Sequence, residues 1–265
     1  VKHTFADFKF DKIAQANLDE KNYIDPTPIQ DQTIMHALAG KDVLGLANTG
    51  SGKTAAFLLP LIDKVLKDPS QKVIILAPTR ELAMQINKEF TEFAKGLKIF
   101  STVCVGGMPI FRQIQNLRMV NHFVIGTPGR IKDLAHRKCI VFNQFTNVVL
   151  DEVDHMLDMG FVDDITEILE GLAKPRQSLF FSATMPKEIQ QLASTILHNP
   201  VKVEVTPVSS TADTIQQSVY FVEKDNKLDL LTHILKNNIS ESVLVFARTK
   251  HGADKVCKDL VRTGI

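Results

Sequence analysis

Cysteine, net charge and long apolar runs are all scarce in this sequence, and each scarcity excludes a class of protein. The three cysteines, Cys104, Cys139 and Cys257, lie far apart and lack the spacing of metal ligands. That distribution argues against a disulfide framework and against a zinc site, and it suits a reducing compartment. We interpret the three cysteines as structural residues.

Net charge is close to zero, because 31 basic residues nearly cancel 30 acidic residues. Any binding to nucleic acid must therefore come from local patches and backbone amides, not from a bulk positive field. Apolar runs such as AAFLLPLI (55–62) are far too short to span a bilayer, and no signal peptide is recognisable. We expect a cytoplasmic protein that does not associate with membranes.

The sequence does contain a regular alternation of short aliphatic runs with longer helical patterns. Apolar strands without polar alternation, each followed by a helix, predict a parallel sheet that is covered on both faces. The predicted fold class is therefore α/β, a doubly wound parallel sheet. The predicted strands are DVLGLA (42–47), KVIILAP (72–78), STVCVGG (101–107), HFVIGTP (122–128), NVVLDE (147–152), SLFFSAT (178–184) and VKVEV (201–205).

This alternation breaks at TPVSSTADT (206–214), where small and polar residues predict an interdomain linker. We expect a first domain at 1–205, a linker at 206–213 and the start of a second domain at 214–265. The last segment predicts strands SVYFVE (218–223) and SVLVFA (242–247), a helix around 227–237 and a helix ending at Gly264. Because a second domain of this type needs roughly another 100 residues, we expect it to be incomplete.

A phosphate-binding loop is predicted after the first strand, in ANTGSGKTAAF (47–57). Small residues let successive amides curl around phosphate oxygens, and the following helix directs its positive N-terminal end at the same charge. Lys53 would neutralise phosphate, and Thr54 would ligate Mg²⁺. The predicted loop comprises Ala47, Asn48, Thr49, Gly50, Ser51, Gly52, Lys53 and Thr54, with alanine where the pattern usually begins with glycine.

Three carboxylates, Asp151, Glu152 and Asp154, follow the apolar run at the start of VVLDEVDHM (148–156). Taken alone, the stretch fits either a solvated acidic turn or a metal and water site at the carboxyl edge of a parallel sheet. The phosphate loop favours the second interpretation. One carboxylate would hold Mg²⁺, and its neighbour would polarise the attacking water.

In their order and spacing, these motifs resemble the DEAD-box family of RNA helicases, from Phe5 to about Lys250. DEVD (151–154) occupies the D-E-A-D position, with Val153 where the family usually has alanine, and SAT (182–184) occupies the motif that couples hydrolysis to strand separation. The resemblance implies RecA-like domains that use ATP and Mg²⁺. Segments such as DMGF (158–161) and HNPVKVEV (198–205) are most similar to bacterial RhlE-type members.

The family's adenine-recognition segment is matched by NYIDPTPIQ (22–30), preceded by the isolated aromatic Phe5. The resemblance implies that Tyr23 stacks on adenine and that Gln30 reads its amino edge. Pro26 and Phe5 are assigned to the same nucleotide site. Asn22 stands where the family more often has glycine, and asparagine tolerates left-handed backbone angles better than most residues.

Three loops are matched to the family's RNA contacts, each at the end of an apolar run. The resemblance implies that they hold the sugar-phosphate backbone of single-stranded RNA without reading base sequence. The residues concerned are Pro78, Thr79 and Arg80 in PTRELA, Gly106 and Gly107, and Thr127, Pro128, Gly129 and Arg130 in TPGR.

The resemblance also gives each carboxylate of DEVD a separate role. Asp151 would hold Mg²⁺ through water, Glu152 would position and deprotonate the attacking water, and Asp154 would bond to Ser182 or Thr184. Lys53, Asp151 and Glu152 are thus the expected catalytic residues.

The function implied is an ATP-dependent RNA helicase that unwinds short duplexes or remodels RNA–protein complexes. An ATP-gated RNA clamp and a DNA helicase are the alternatives, and protein partners are left open. Because the arginines that the family places in its second domain are absent, we expect this chain to bind nucleotide but to hydrolyse it weakly or not at all.

Overall fold

A computed structural model of the chain describes residues 2–205, 218–238 and 242–265. The chain divides into two compact units, Val1–Val208 and Ser209–Ile265. The predicted linker at 206–213 lies outside the described residues, and so does the boundary between the units. The domain limits therefore stay predictions.

Seven parallel strands form one sheet in the described part of the first unit, in the order β3-β4-β2-β5-β6-β1-β7. Each strand coincides with one of the seven predicted apolar runs, so the predicted α/β fold is confirmed. The strands are β1 (Val43–Leu46), β2 (Val73–Leu76), β3 (Ser101–Cys104), β4 (Phe123–Gly126), β5 (Asn147–Leu150), β6 (Gln177–Ser182) and β7 (Val201–Glu204).

Helices cover both faces of this sheet, and β2 shows why. Val73 and Ile75 belong to one buried cluster, whereas Ile74 and Leu76 belong to the other. Because successive side chains point to opposite faces, an uninterrupted aliphatic strand must be covered on both sides. The helices of this unit are α1 (Lys12–Glu20), α2 (Pro28–Leu38), α3 (Lys53–Lys67), α4 (Arg80–Phe93), α5 (Ile110–Arg118), α6 (Pro128–His136), α7 (Val153–Asp158), α8 (Val162–Gly171) and α9 (Lys187–Ile196).

The strand order sorts the loops at the carboxyl edge of the sheet into two groups. The neighbours β5, β6 and β1 are followed by DEVD, SAT and the phosphate loop. The neighbours β3, β4 and β2 are followed by the GG pair, TPGR and PTRELA. These six loops therefore lie on one edge of the sheet, with the phosphate loop, DEVD and SAT in one group and the three loops matched to RNA contacts in the other.

The described part of the second unit contains two helices, α10 (Lys227–Asn238) and α11 (Lys250–Arg262). The helix prediction at 227–237 is confirmed, and the last helix ends two residues before Gly264, whose φ of 81° follows it. The two predicted strands, 218–223 and 242–247, are wrong, because neither segment is a strand. Phe221 is 98% exposed and Phe246 is 87% exposed, so among the described residues these apolar segments have neither the ladder partner nor the covering layer that a strand requires.

No helix within the described ranges is both long and apolar enough to cross a membrane.

Candidate nucleotide site and nucleic-acid interface

The predicted phosphate loop connects the end of β1 to the N-terminus of α3. Gly50 and Gly52 have φ angles of 81° and 95°, which glycine adopts without strain. A Cβ on Gly52 would collide with the side chain of Gln30. The loop therefore depends on glycine both for its turn and for its close approach to α2, and residues 48–50 are exposed to solvent.

Lys53 is the first residue of α3, and its side chain folds back across this loop. Its Nζ donates a hydrogen bond of 2.8 Å to the carbonyl oxygen of Ala47, the first residue of the loop. Only 5% of the lysine is exposed. The ammonium group is thus held inside the curl of the loop, where it can neutralise phosphate charge.

Asp151 follows β5 and is 2% exposed. Burial raises the pKa of its carboxyl group to about 6, although the Lys53 ammonium opposes the shift. The carboxylate accepts a 3.0 Å hydrogen bond from the backbone N–H of Glu152. A buried carboxylate beside a lysine and a phosphate loop suits a site where a divalent cation supplies compensating charge.

Glu152 has a left-handed backbone conformation, with φ 53° and ψ 53°. This conformation is uncommon for a residue with a side chain, and such outliers concentrate at functional sites. One carboxylate oxygen of Glu152 accepts a 3.0 Å hydrogen bond from the Thr49 hydroxyl. The glutamate therefore spans the gap between the end of β5 and the phosphate loop, facing the space where the nucleotide phosphates are expected.

Asp154 turns away from Glu152 toward the loop after β6. Its Oδ2 accepts hydrogen bonds from the backbone N–H of Ala183 (3.2 Å) and from the N–H and hydroxyl of Thr184 (3.0 and 3.1 Å). Of the two expected partners, the geometry brings Thr184 to the carboxylate. Ser182 is fully buried at the end of β6, and its hydroxyl has no hydrogen-bond partner among the described residues.

An open cavity of about 200 Å³ joins these side chains. Its walls include Tyr23, Thr49, Gly50, Gly52, Lys53, Thr54, Asp151 and Glu152. Helix α4 supplies Leu82, Gln85 and Glu89, which the sequence motifs did not predict. Their i, i+3, i+7 spacing places them on one face of the helix that begins at PTRELA, and this spacing could have revealed them. Burial raises the pKa of Glu89, so this acid is also partly withdrawn from water.

Gln30 links the adenine-recognition segment to the phosphate loop. Its Oε1 accepts from the backbone N–H of Thr27 at 2.8 Å, and its Nε2 donates to the carbonyl oxygen of Gly52 at 3.0 Å. The side-chain amide has a second N–H and a second lone pair for a ligand, although the residue is only 3% exposed.

Tyr23 reaches the cavity wall, packed between Phe5 and Phe93 with ring centroids 5.5 and 5.6 Å away. Phe5 is 1% exposed and lies behind Tyr23, and Pro26 is buried. The geometry therefore makes Phe5 a support for Tyr23 and gives it almost no surface to offer a ligand. Asn22 has a φ of 56°, the left-handed angle for which its side chain is suited.

The three loops matched to RNA contacts also touch one another. The Arg80 guanidinium packs so closely on Gly107 that a Cβ there would collide with it. Arg130 Nη1 donates to the carbonyl oxygens of Val105 (2.9 Å) and Met108 (3.3 Å). The Gly106–Gly107 loop is thus fixed from two sides, and Arg130 serves partly as its support.

Hydroxyls and helix N-termini complete this second group. Thr79 caps α4 by accepting from the backbone N–H of Leu82 at 3.2 Å. Thr127 stands at the N-terminus of α6 without a side-chain capping bond, and the buried Pro128 begins that helix. Gly129 follows Pro128 in the first turn, where N–H groups lack partners within the helix. This arrangement can offer amides and a hydroxyl to an anionic backbone.

The donor set fits Mg²⁺ better than a transition metal. Thr54 and Asp151 line one cavity, and no cluster of three or more His, Cys, Asp or Glu side chains positioned to hold a metal occurs within the described ranges. Mg²⁺ is usually held by one or two protein oxygens together with phosphates and water.

Comparison with known proteins gives matches along most of the chain. Residues 27–192 match the family model described as DEAD/DEAH box helicase. Over 258 residues, the chain is 40% identical to the DEAD-box ATP-dependent RNA helicase CshA of Bacillus cereus, covering 97% of this chain and 49% of the relative. Over 261 residues, it is 38% identical to the ATP-dependent RNA helicase CshA of Listeria monocytogenes, covering 98% and 50% of the two chains.

Among solved structures, a DEAD box protein from the hyperthermophile Methanococcus jannaschii superposes with a TM-score of 0.74 at 33% identity, covering all of this chain and 72% of that one. The chain spans about half the length of the curated relatives it matches. The RhlE-type assignment stays a prediction. Because the family model covers most of the chain and the nucleotide motifs meet in one cavity, the chain belongs to the DEAD/DEAH box helicase family.

Proposed function

We propose that this chain binds ATP with Mg²⁺ and single-stranded RNA as part of an ATP-dependent RNA helicase. The observation that carries the proposal is the meeting of Lys53, Thr54, Asp151 and Glu152 in one cavity, while Asp154 reaches from the same turn to Thr184. Such an arrangement couples a phosphate site to a neighbouring loop through one rigid turn.

In this proposal each side chain has one task. Lys53 and the loop amides bind the phosphates, and Tyr23 with Gln30 holds the adenine end. Thr54 and Asp151 would hold Mg²⁺, which supplies Lewis-acid stabilisation of phosphate charge when bound. Glu152 orients the attacking water and accepts its proton, and the Thr49 hydroxyl helps to position that carboxylate.

RNA would bind along the loops after β3, β4 and β2. Its contacts would be backbone amides, Thr79, Thr127 and the guanidinium groups of Arg80 and Arg130, none of which read base identity. The hydrogen bonds between Asp154 and Thr184 would couple changes in the nucleotide site to the loop that follows β6. The free cysteines fit the cytoplasmic location that we propose.

Two substitutions separate binding from hydrolysis. We expect Glu152→Gln to retain ATP affinity while turnover in the full-length protein falls by about 10² to 10⁴, since the base is lost and the shape is kept. Lys53→Ala should instead weaken ATP binding itself. Equilibrium binding of a fluorescent ATP analogue and a phosphate-release assay measure the two effects, and unchanged turnover in Glu152→Gln would remove Glu152 from the base role.

A further inference from the structure

A second cavity lies beside β3, at the end of the sheet. β3 pairs with β4 alone among the described strands, and an open groove of about 370 Å³ runs along it between α4 and α5. The side chains that matter for its chemistry are Met84, Asn87, Met108, Arg112 and Asn116. We term this groove the edge cavity.

The edge cavity is continuous with the loops that we assign to RNA. On α4, Arg80, Met84 and Asn87 follow one another at i, i+4 and i+7, so they lie on one face of the helix. Arg80 packs on Gly107, and Met108 is the next residue along that loop. Met84 and Met108 are therefore within reach of an RNA strand that contacts Arg80 and Gly107.

The wall of the edge cavity that contains Met108 is held in place by hydrogen bonds within the protein. Gln113 of α5 is 4% exposed and donates to the carbonyl oxygens of Val105 (3.0 Å) and Met108 (3.4 Å). Arg130 of α6 donates to the same two carbonyl oxygens. Preorganisation of this kind reduces the entropy that a ligand loses on binding.

The chemistry of the edge cavity suits a nucleobase. Met84 and Met108 are 48% and 42% exposed, and thioethers make favourable contacts with flat aromatic rings. Asn87 accepts a 2.7 Å hydrogen bond from the Ser101 hydroxyl, while the side-chain N–H groups of Asn87 and Asn116 have no acceptor among the described residues. Arg112 forms no ion pair within the described ranges, so its guanidinium can take a phosphate.

We propose that the edge cavity receives one base of the bound RNA strand, between Met84 and Met108, with Arg112 on the adjoining phosphate. The inference rests on the proposed RNA binding and adds a base contact to loops that touch only the backbone. It gives the protein a preference for an intact base at one position of an otherwise sequence-independent track.

An abasic scan tests this assignment. Single-stranded oligoribonucleotides, each with one abasic nucleotide at a successive position, are titrated against the full chain with a non-hydrolysable ATP analogue and followed by fluorescence anisotropy. At one position, we expect the missing base to weaken binding about fivefold, the loss that a sulfur–aromatic contact of about 1 kcal/mol produces. The double variant Met84→Ala/Met108→Ala should bind intact RNA about as weakly as the wild type binds the abasic oligonucleotide. Its affinity should no longer change when the base at that position is removed.

Matched variants show whether the abasic response arises in the edge cavity. Phe111 is 66% exposed on α5 but does not line the edge cavity, so Phe111→Ala should keep the abasic response. Arg112→Ala should weaken the binding of all oligonucleotides alike. It should also lower the salt dependence of the affinity by the amount expected for the loss of about one phosphate contact. Because the exchanged side chains are exposed, the variants are expected to fold, and circular dichroism checks this.

The outcomes separate this inference from the proposed function. If the chain binds no oligonucleotide, the proposed RNA binding itself fails. If it binds RNA but no abasic position matters, or if Phe111→Ala alone abolishes the response, the edge cavity is not a base site.

Discussion

At the scale of single residues, the candidate nucleotide site contains ionisable side chains that are almost fully buried. Asp151 is almost fully buried, and its pKa is raised to about 6 from 3.8. Glu152 holds a left-handed backbone, and Lys53 places an ammonium group inside a loop. None of these features benefits an isolated fold, but each suits a site completed by nucleotide and Mg²⁺.

The raised pKa of Asp151 predicts how stability depends on pH without nucleotide. Between about pH 4 and pH 6 the unfolded chain ionises Asp151 first, while the folded chain keeps the proton, so this group lowers folded-state stability as pH rises through that window. Asp151→Asn removes the cost of ionising a buried carboxyl group. It keeps a side-chain oxygen that can accept the hydrogen bond from the backbone N–H of Glu152. At neutral pH, the variant should therefore be more stable by about 1 to 3 kcal/mol.

Urea denaturation of wild type and Asp151→Asn, at neutral pH and near pH 4, checks this expectation. The difference should shrink at the lower pH, because the folded chain then keeps Asp151 protonated and no longer bears the cost of an ionised carboxylate in its buried site. A variant that is less stable at neutral pH would show that attraction to Lys53 outweighs burial. Mg²⁺-dependent ATP turnover should be lost in either case.

At the scale of elements, β3 and β4 approach closely where they lead into two of the loops that we assign to RNA. A Cβ on Gly126, the last residue of β4, would collide with the carbonyl oxygen of Cys104 in β3. A side chain at this position must therefore push the edge strand outward. The phosphate loop, DEVD and SAT follow β1, β5 and β6, which lie in the other part of the sheet. These three loops therefore take no part in the contact between β3 and β4.

Gly126→Ala should destabilise the first unit by about 1 to 3 kcal/mol or more, as backbone crowding of this kind forces a shift. RNA affinity should fall more than ATP affinity, since the loops after β3 and β4 move while the phosphate loop stays. Gly106→Ala is the control for stability, because a Cβ there meets nothing within 4 Å. Equal losses of both affinities would contradict the division of the sheet edge into two groups of loops.

At the scale of the whole molecule, the described site has a phosphate cradle but little cationic charge. Lys53 is the cation among the described residues that line the nucleotide cavity. Arginine groups that reach the transferred phosphate typically raise turnover by about 10³ to 10⁵ in related enzymes. We therefore expect the 265-residue chain to bind ATP and to hydrolyse it slowly.

RNA-stimulated phosphate release by this chain, compared with a version extended to the length of its relatives, measures the difference. We expect binding of a fluorescent ATP analogue to be similar in both, and turnover to differ by orders of magnitude. Rapid turnover by the 265-residue chain would mean that the first unit needs no further cation.

The two strands that were predicted wrongly show where apolar pattern fails. SVYFVE and SVLVFA have the composition of buried strands, but Phe221 and Phe246 are almost fully exposed. A strand exists only with a hydrogen-bonded neighbour, and a local pattern contains no information about whether that neighbour is present. Helices α10 and α11 need no partner for their hydrogen bonds, and they appear where the sequence predicts them.

The sequence by itself determined the seven strands of the first unit, the phosphate loop and the acidic turn, because strand periodicity, glycine and charge act over a few neighbouring residues. Only the tertiary structure decided which motifs meet. Strand order places DEVD beside SAT and the phosphate loop. Side-chain packing and hydrogen bonding bring Arg80 onto Gly107, make Thr184 and not Ser182 the partner of Asp154, and place Phe5 behind Tyr23. These choices depend on contacts between residues far apart in the chain, which packing fixes and local sequence does not specify.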